Sequence, residues 1–290
     1  MSLIVILLSL GIERFLGSVE DYRRFEWFEA YADWVYARMD GMSLRDGPVG
    51  VIAIMVPVIL LVWAINELAY GLTPVFAFLF AIGVVLYSIG PKDLYRDAEG
   101  YLDAMERGDQ EGGAWYAAEM LERDVTGTPA EVAQTMTNAV LVKSTERLLG
   151  VLFWFVLAGP VGAILYRLAC VARAHTAGQD SGLARSMDDL YMILLWPVAR
   201  LTMLSYAVSG SFVEAFNHWR SVSELWQWDS EELLVSSGRG ALRLEPRPEA
   251  PEAEQEVDID SVRDALGLIR RTVIVWLTVL ALLTLTGWAS

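Results

Sequence analysis

Five apolar stretches, each near the length needed to cross a bilayer, constrain this chain more than any other feature. The hydrocarbon core is about 30 Å thick and takes about 20 mainly apolar helical residues to cross. Val49 to Ile65, Pro74 to Ile89, Leu148 to Leu168 and Leu190 to Val208 pass cleanly, and Thr272 to Ala289 is just long enough. The expected fold is all-α: a polytopic helical membrane protein of about five spans, with amphipathic interfacial helices and helical loops. The run Ser2 to Ile12 is too short to span alone and lacks a basic leader or a small-residue cleavage site. It reads as the start of a retained N-terminal helix, not as a signal peptide.

Composition agrees. Hydrophobic residues make up 54% of the 290, and the formal charge is -15. The charges collect in blocks, and that segregation marks a membrane protein more clearly than the average does. The single cysteine, Cys170, excludes an intramolecular disulfide and argues against a cysteine-based metal site. With only His175 and His218, histidine-rich zinc chemistry is not supported either. No P-loop or Rossmann glycine pattern appears. The acidic balance disfavours nucleic acid as a partner.

The stretches Val49 to Ile65 and Pro74 to Ile89 are joined by little more than Glu67 to Thr73, which predicts a tight helical hairpin. Strict alternation then places Glu13 to Gly47 on the same side as Gly90 to Arg147. The connection Ala169 to Asp189 falls on the opposite side, and Ser209 to Arg271 returns to the first. Positive charge near the span ends on that first side includes Arg38, Arg45, Lys92, Arg96, Lys143, Arg147, Arg270 and Arg271. The opposing side carries Arg167, Arg173 and Arg185. By the positive-inside rule the large loops are cytoplasmic. Residues 1–290 thus read as one membrane domain. It contains an amphipathic interfacial segment at 13–47, a helical loop at 90–147, and a loop at 209–271 with a flexible acidic linker at 245–258.

Thr128-Pro129-Ala130-Glu131 is a helix start, with threonine as N-cap, proline at N1 and glutamate closing a capping box. Apart from Gly150, no breaker follows until Gly159-Pro160, so one helix of roughly 28 residues runs from water into the membrane, at about 1.5 Å per residue. Upstream, Leu94 to Arg123 reads as helix interrupted at Gly108 and at Gly112-Gly113. Two segments are amphipathic and aromatic: Trp27, Tyr31 and Trp34 with Phe25 and Phe28, then Phe212, Phe216 and Trp219 with Trp226. Each either lies along the headgroup interface or packs against the bundle. Glu245 to Asp260 is acidic and proline-rich, buries almost nothing, and reads as a flexible spacer before the last span.

Ionisable residues in or beside apolar spans cost several kcal/mol, so each needs a reason. Arg200 lies inside LLWPVARLTMLSYAV, three residues after Pro197, which frees a backbone carbonyl. Its partner is an anion, whether a phosphate, a lipid headgroup, or a carboxylate such as Asp188 or Asp189 in a structural pair. Gly159-Pro160-Val161-Gly162 permits close helix approach, and Arg167 follows, able to snorkel to the interface. A third group gathers at the boundary: Lys92, Asp93, Arg96, Arg123, Asp124, Glu146 and Arg147. It is either a solvated ring of charge or a pocket for a phosphorylated ligand. In the pocket reading Asp93, Asp124 and Glu146 are the hard oxygen ligands for Mg²⁺, although their spacing matches no metal motif.

In order and spacing, several motifs resemble the group that unites the CobD/CbiB and AmpE families. They are GPKDL (Gly90 to Leu94), YRDAEGYLDAMERGD (Tyr95 to Asp109), Arg123-Asp124, GPVGAILYRL (Gly159 to Leu168), MDDL (Met187 to Leu190) and PVARL (Pro197 to Leu201). The resemblance covers roughly residues 85 to 210. The CobD/CbiB branch makes adenosylcobinamide phosphate with ATP and Mg²⁺. It carries a polar A-E-N-T-like stretch where this chain has Val142 to Arg147, and an N-T-L-D-S-M-V-G-Y-K-N-like stretch where it has Leu168 to Ala184. Both departures remove residues that synthesis needs. The AmpE branch is the better match, with Glu13-Arg14-Phe15 after a short apolar helix, paired early spans and a final span after a hydrophilic loop.

That resemblance implies a bacterial inner-membrane regulatory protein linked to β-lactamase induction and cell-wall status, acting alongside the amidase AmpD. It implies no cofactor and assigns no catalytic residue, leaving that role unknown. The expected ligand is phosphorylated or muropeptide-related, held by Lys92, Arg96, Arg167 and Arg200. The alternative is a CobD/CbiB-like synthase or related transferase, and only that reading brings in Mg²⁺ and ATP.

Overall fold

A computed structural model describes residues 2–15, 24–41, 45–89, 94–121, 124–211, 229–244 and 259–286, and every regular element among them is a helix. Four helical runs there are long and apolar enough to cross a membrane: Pro48–Leu72, Pro129–Thr176, Gly182–Ser209 and Ile259–Leu285. Ser2–Glu13 and Pro74–Ser88 are apolar but shorter. The chain is a multi-pass, all-α membrane protein. It forms two compact units, the first from Met1–Pro91, Glu146–Trp196 and Leu280–Ser290, the second from Lys92–Thr145 and Pro197–Val279.

In the first unit, α1 (Ser2–Phe15), α2 (Glu26–Arg38), α3 (Pro48–Leu72) and α4 (Pro74–Ser88) pack with α8 (Gly150–Thr176). The predicted hairpin between α3 and α4 turns on one residue. Thr73 is extended, its Oγ1 accepts from Phe76 N–H, and Pro74 opens the next helix where a missing N–H does no harm. Helix α3 buries Val51, Ile54, Met55 and Val58 and exposes Ile52, Leu60, Leu61 and Leu68, as a lipid-facing helix should. In α2 the aromatics divide. Phe25 and Phe28 are buried, whereas Trp27 and Trp34 are 48% and 63% exposed.

The stretch 148–168, read from sequence as one span, is not one rod. Ala158 and Gly159 leave helical geometry, Gly159 at φ 62° and ψ -151°. Residues 150 and 166 would stand about 24 Å apart on a straight helix. Instead a Cβ on Gly150 would lie 2.2 Å from the Tyr166 ring, and one on Gly162 would lie 2.3 Å from the Trp154 carbonyl oxygen. The limbs 150–157 and 160–176 therefore fold back on each other, and the two glycines allow the close approach. Trp154 Nε1–H donates to the Leu194 carbonyl at 3.0 Å, tying the turn to α9 (Gly182–Ser209).

Segment 13–47 was expected opposite the connection 169–189, yet its described part packs directly against that connection. His175 meets Asp33 at 2.8 Å, and a Cβ on Gly182 would lie 2.0 Å from the Asp46 carbonyl oxygen.

In the second unit, α5 (Leu94–Glu106) pairs with α6 (Gln110–Leu121), and both pack on α7 (Pro129–Ser144). The expected interruption occurs at Gly108, with φ 75°, but Gly112 and Gly113 lie inside α6. Gly113 is there for space, since its missing side chain admits Met105 Sδ. The capping box at Thr128 forms in full: Thr128 Oγ1 accepts from Glu131 N–H, and Glu131 Oε2 accepts from Thr128 N–H at 2.7 Å. Beyond α7 the helix widens into a π turn at Thr145–Leu149 before α8.

Helix α10 (Ser230–Leu242) packs on α7, with Gly238 against Leu141. Helix α11 (Ile259–Leu285) runs antiparallel to the end of α9, where Trp276 Nε1–H donates to Ser205 Oγ at 2.9 Å and Thr272 reaches Ser209. The second aromatic segment (Phe212, Phe216, Trp219, Trp226) and the linker 245–258 lie outside the described residues.

Candidate functional site

The reversed helix concentrates ionisable residues in an apolar setting. Arg147 sits within the π turn at 6% exposure, and Arg167 on the returning limb is 7% exposed. Arg167 does not snorkel. Its guanidinium carbon sits 5.3 Å from the centroid of the Phe25 ring, and its Nε finds no hydrogen-bond acceptor among the described residues. The Phe25 ring leans on Tyr87 at 4.7 Å. The Tyr87 hydroxyl accepts from Trp27 Nε1–H at 2.7 Å and donates to the Arg24 carbonyl at 3.0 Å, which fixes the start of α2 over the arginine.

A desolvated cation–π contact contributes about 2 kcal/mol, less than the several kcal/mol that burying an ion costs. The Phe25 ring alone does not offset that cost. The charges of Glu146 and Arg167, distant in sequence, both act on the buried hydroxyl of Tyr166, which also faces Cys170 one turn on. Folding the limbs face to face is what assembles this group.

Arg200 belongs to the second unit. Its Nη1–H donates to Ser230 Oγ at 2.9 Å, and Ser230 is the fully buried first residue of α10. Asp229 caps that helix by accepting from Glu232 N–H at 2.9 Å. Asp188 instead accepts from Arg173 Nε–H at 2.7 Å, while Arg173 stacks on Tyr191 at 4.2 Å, and Asp189 is exposed. Arg96 is exposed beside the buried Asp97, at 3.7 Å.

Among the described residues no group of three or more His, Cys, Asp or Glu side chains is placed to hold a metal ion. Asp124 is exposed after α6 in the second unit, and Glu146 belongs to the first. Lys92, Asp93 and Arg123 lie outside the described residues.

Sequence reasoning set the histidines aside, and there it missed a cleft. In the first unit a small hollow of about 30 Å³ opens between α2, α3, the end of α8 and the start of α9. His175 Nε2–H donates to Asp33 Oδ1 at 2.8 Å, and its Nδ1 lies 4.0 Å from Glu29. At the rim the Tyr36 hydroxyl donates to Asp46 at 2.5 Å, which with partial burial and the Asp46 charge holds its pKa above the ordinary tyrosine value. Only a partner 142 residues away reveals His175, so no local motif announces it.

Comparison with known proteins places this architecture. A 28% identical relative, "Cobalamin biosynthesis protein CobD" of Stutzerimonas stutzeri, aligns over 78% of this chain and 78% of its own length. A second protein of that name, from Chromobacterium violaceum, is 26% identical over 69% of this chain and 64% of itself. No solved structure matches. The profile of the family described as "Regulatory signalling modulator protein AmpE" matches residues 1–289, and the chain therefore belongs to the AmpE family.

Proposed function

We propose that this chain acts as a non-enzymatic regulator in the bacterial inner membrane, relaying cell-wall status to β-lactamase induction through an anionic, phosphorylated or muropeptide-related ligand. The observation that carries the reading is the family match over residues 1–289, joined to buried arginines where lipid-facing helices ordinarily carry none. Arg167, over Phe25, is the proposed anion contact in the first unit, and Arg200, beside Ser230, the proposed contact in the second. The AmpD amidase is the expected functional partner. Arg200→Ala and Arg167→Ala should each abolish regulation in a β-lactamase induction reporter while membrane fractionation shows normal insertion. Wild-type induction in both variants would reduce the arginines to structural parts.

The second reading is a synthase or transferase acting on a phosphorylated amphiphile, favoured by the 28% and 26% identical CobD proteins. Against it stand Val142 to Arg147 and Leu168 to Ala184, which lack the polar residues of that branch. Expression in a strain lacking cobinamide-phosphate synthase separates the two readings, since restored corrinoid-dependent growth would sink the regulatory one.

A further inference from the structure

The start of α2 closes over a buried ion and is held there from outside the helix. Phe25 occupies the N-cap position of α2 and supplies no side-chain cap, where serine, threonine, asparagine or aspartate would accept from the first free N–H groups. The first turn is therefore the weakest part of α2, and α4 secures it. The Tyr87 hydroxyl accepts from Trp27 Nε1–H and donates to the Arg24 carbonyl, while the Tyr87 ring leans on Phe25. One hydroxyl thus carries both bonds. Trp27 is itself half exposed, and such rings settle at headgroup level, which sets the latch where phosphorylated headgroups lie.

Beneath it lies an under-satisfied charge. Arg167 and Phe25 are both more than nine-tenths buried, and the ring takes the cation by its face. A guanidinium carries five N–H donors in a fixed fork, yet Arg167 Nε has no acceptor among the described residues. Ser88, next to Tyr87 in the chain, is fully buried, and its hydroxyl has no partner there either. A phosphate oxygen pair would satisfy the fork as a ring face does not. An oxyanion reaches the guanidinium only by displacing what covers it, and Phe25 sits on an uncapped helix end.

We propose that the first turn of α2 is a gate over Arg167, latched by Tyr87, which opens to admit a phosphate, either free or carried by a lipid headgroup. The gate rests on the reading of Arg167 as an anion contact, and the test separates the two. The full chain in detergent is treated with phenylglyoxal, and modification of each arginine is followed by peptide mass spectrometry. In wild type Arg167 should react slowly beside Arg185, whose side chain is 76% exposed. Tyr87→Phe keeps the ring, loses both hydrogen bonds and should speed Arg167 roughly tenfold, with the equally buried Arg147 unchanged. A rise at Arg167 alone supports the gate. An unchanged rate overturns it, and so does a matching rise at Arg147, since the loosening is then global. Should Tyr87→Phe fail to fold, Trp27→Phe removes only the outer bond and should give a smaller rise at Arg167, and no rise there overturns the gate equally. Protection of Arg167 in the opened variant reads the anion separately. Slowing by inorganic phosphate over equal chloride supports a free anion, and slowing by phosphatidylglycerol alone supports a headgroup. Slowing by neither overturns the anion reading while the gate stands.

Discussion

The hydroxyl of Tyr206 donates to the backbone carbonyl of Leu141 at 2.8 Å, across 65 residues, where the helix widens into its π turn. A π turn leaves carbonyls without their usual partner one turn on, and here side chains take over that duty. Ser144 Oγ, at 3.1 Å, and Thr145 Oγ1, at 3.4 Å, reach the same oxygen. Because the acceptor is shared, Tyr206→Phe should lower stability by only about 1 kcal/mol. Adding Ser144→Ala should exceed the sum of the single losses, since the carbonyl then keeps only the long Thr145 contact. Thermal or denaturant melts in detergent on the double-mutant cycle measure this, and strict additivity would contradict it.

Two glycines predict opposite outcomes for the same substitution. Gly162→Ala would push a methyl to 2.3 Å from the Trp154 carbonyl, backbone that cannot swing away, and should destabilise by about 1–3 kcal/mol. Gly83→Ala, on α4 with nothing within 4 Å, should be neutral or stabilise by about 0.5–1 kcal/mol. Melting temperatures of the pair decide it, and matching effects would argue against the folded-back limbs.

Much of this was legible in the sequence and some was not. The capping box at Thr128, the hairpin at Thr73 and the break at Gly159 are local, and their residues declare them. How far the chain turns at that break depends on φ at one glycine, and no periodicity records it. The π turn likewise has no local marker, because its stabiliser is Tyr206. At the candidate site, arginines in apolar runs stand out by their cost, but their partners do not. Phe25 and Ser230 are brought by tertiary packing, and no spacing in the sequence points to either.

Alkaline titration should find Tyr36 late. Its hydrogen bond to Asp46, then burial, then the Asp46 charge raise its pKa above the usual 10. A raised folded value means the neutral phenol is favoured by folding. That contribution is complete below pH about 10 and is lost as pH climbs through the folded pKa. Absorbance at 295 nm, compared between wild type and Tyr36→Phe, isolates this ring, and Asp46→Ala should bring its titration back toward 10.

Sidedness is testable, though not through the native thiol. Cys170 is 2% exposed on the returning limb and should resist maleimide in the folded protein. Gln179→Cys, in a Cys170→Ala background, places a reporter on the exposed turn between α8 and α9. Asp40→Cys, beyond α2, should label from the same side of the membrane, because Gly182 abuts Asp46. Labelling from opposite sides would restore the strict alternation of spans.

Helix α4 holds 15 residues against 25 in α3, joined through Thr73 alone. At about 1.5 Å per residue the two measure roughly 22 and 37 Å, while an average bilayer presents about 30 Å of hydrocarbon. Only the longer arm has the length to cross that core by itself, so the hairpin joins one spanning helix to one whose described length falls short of it.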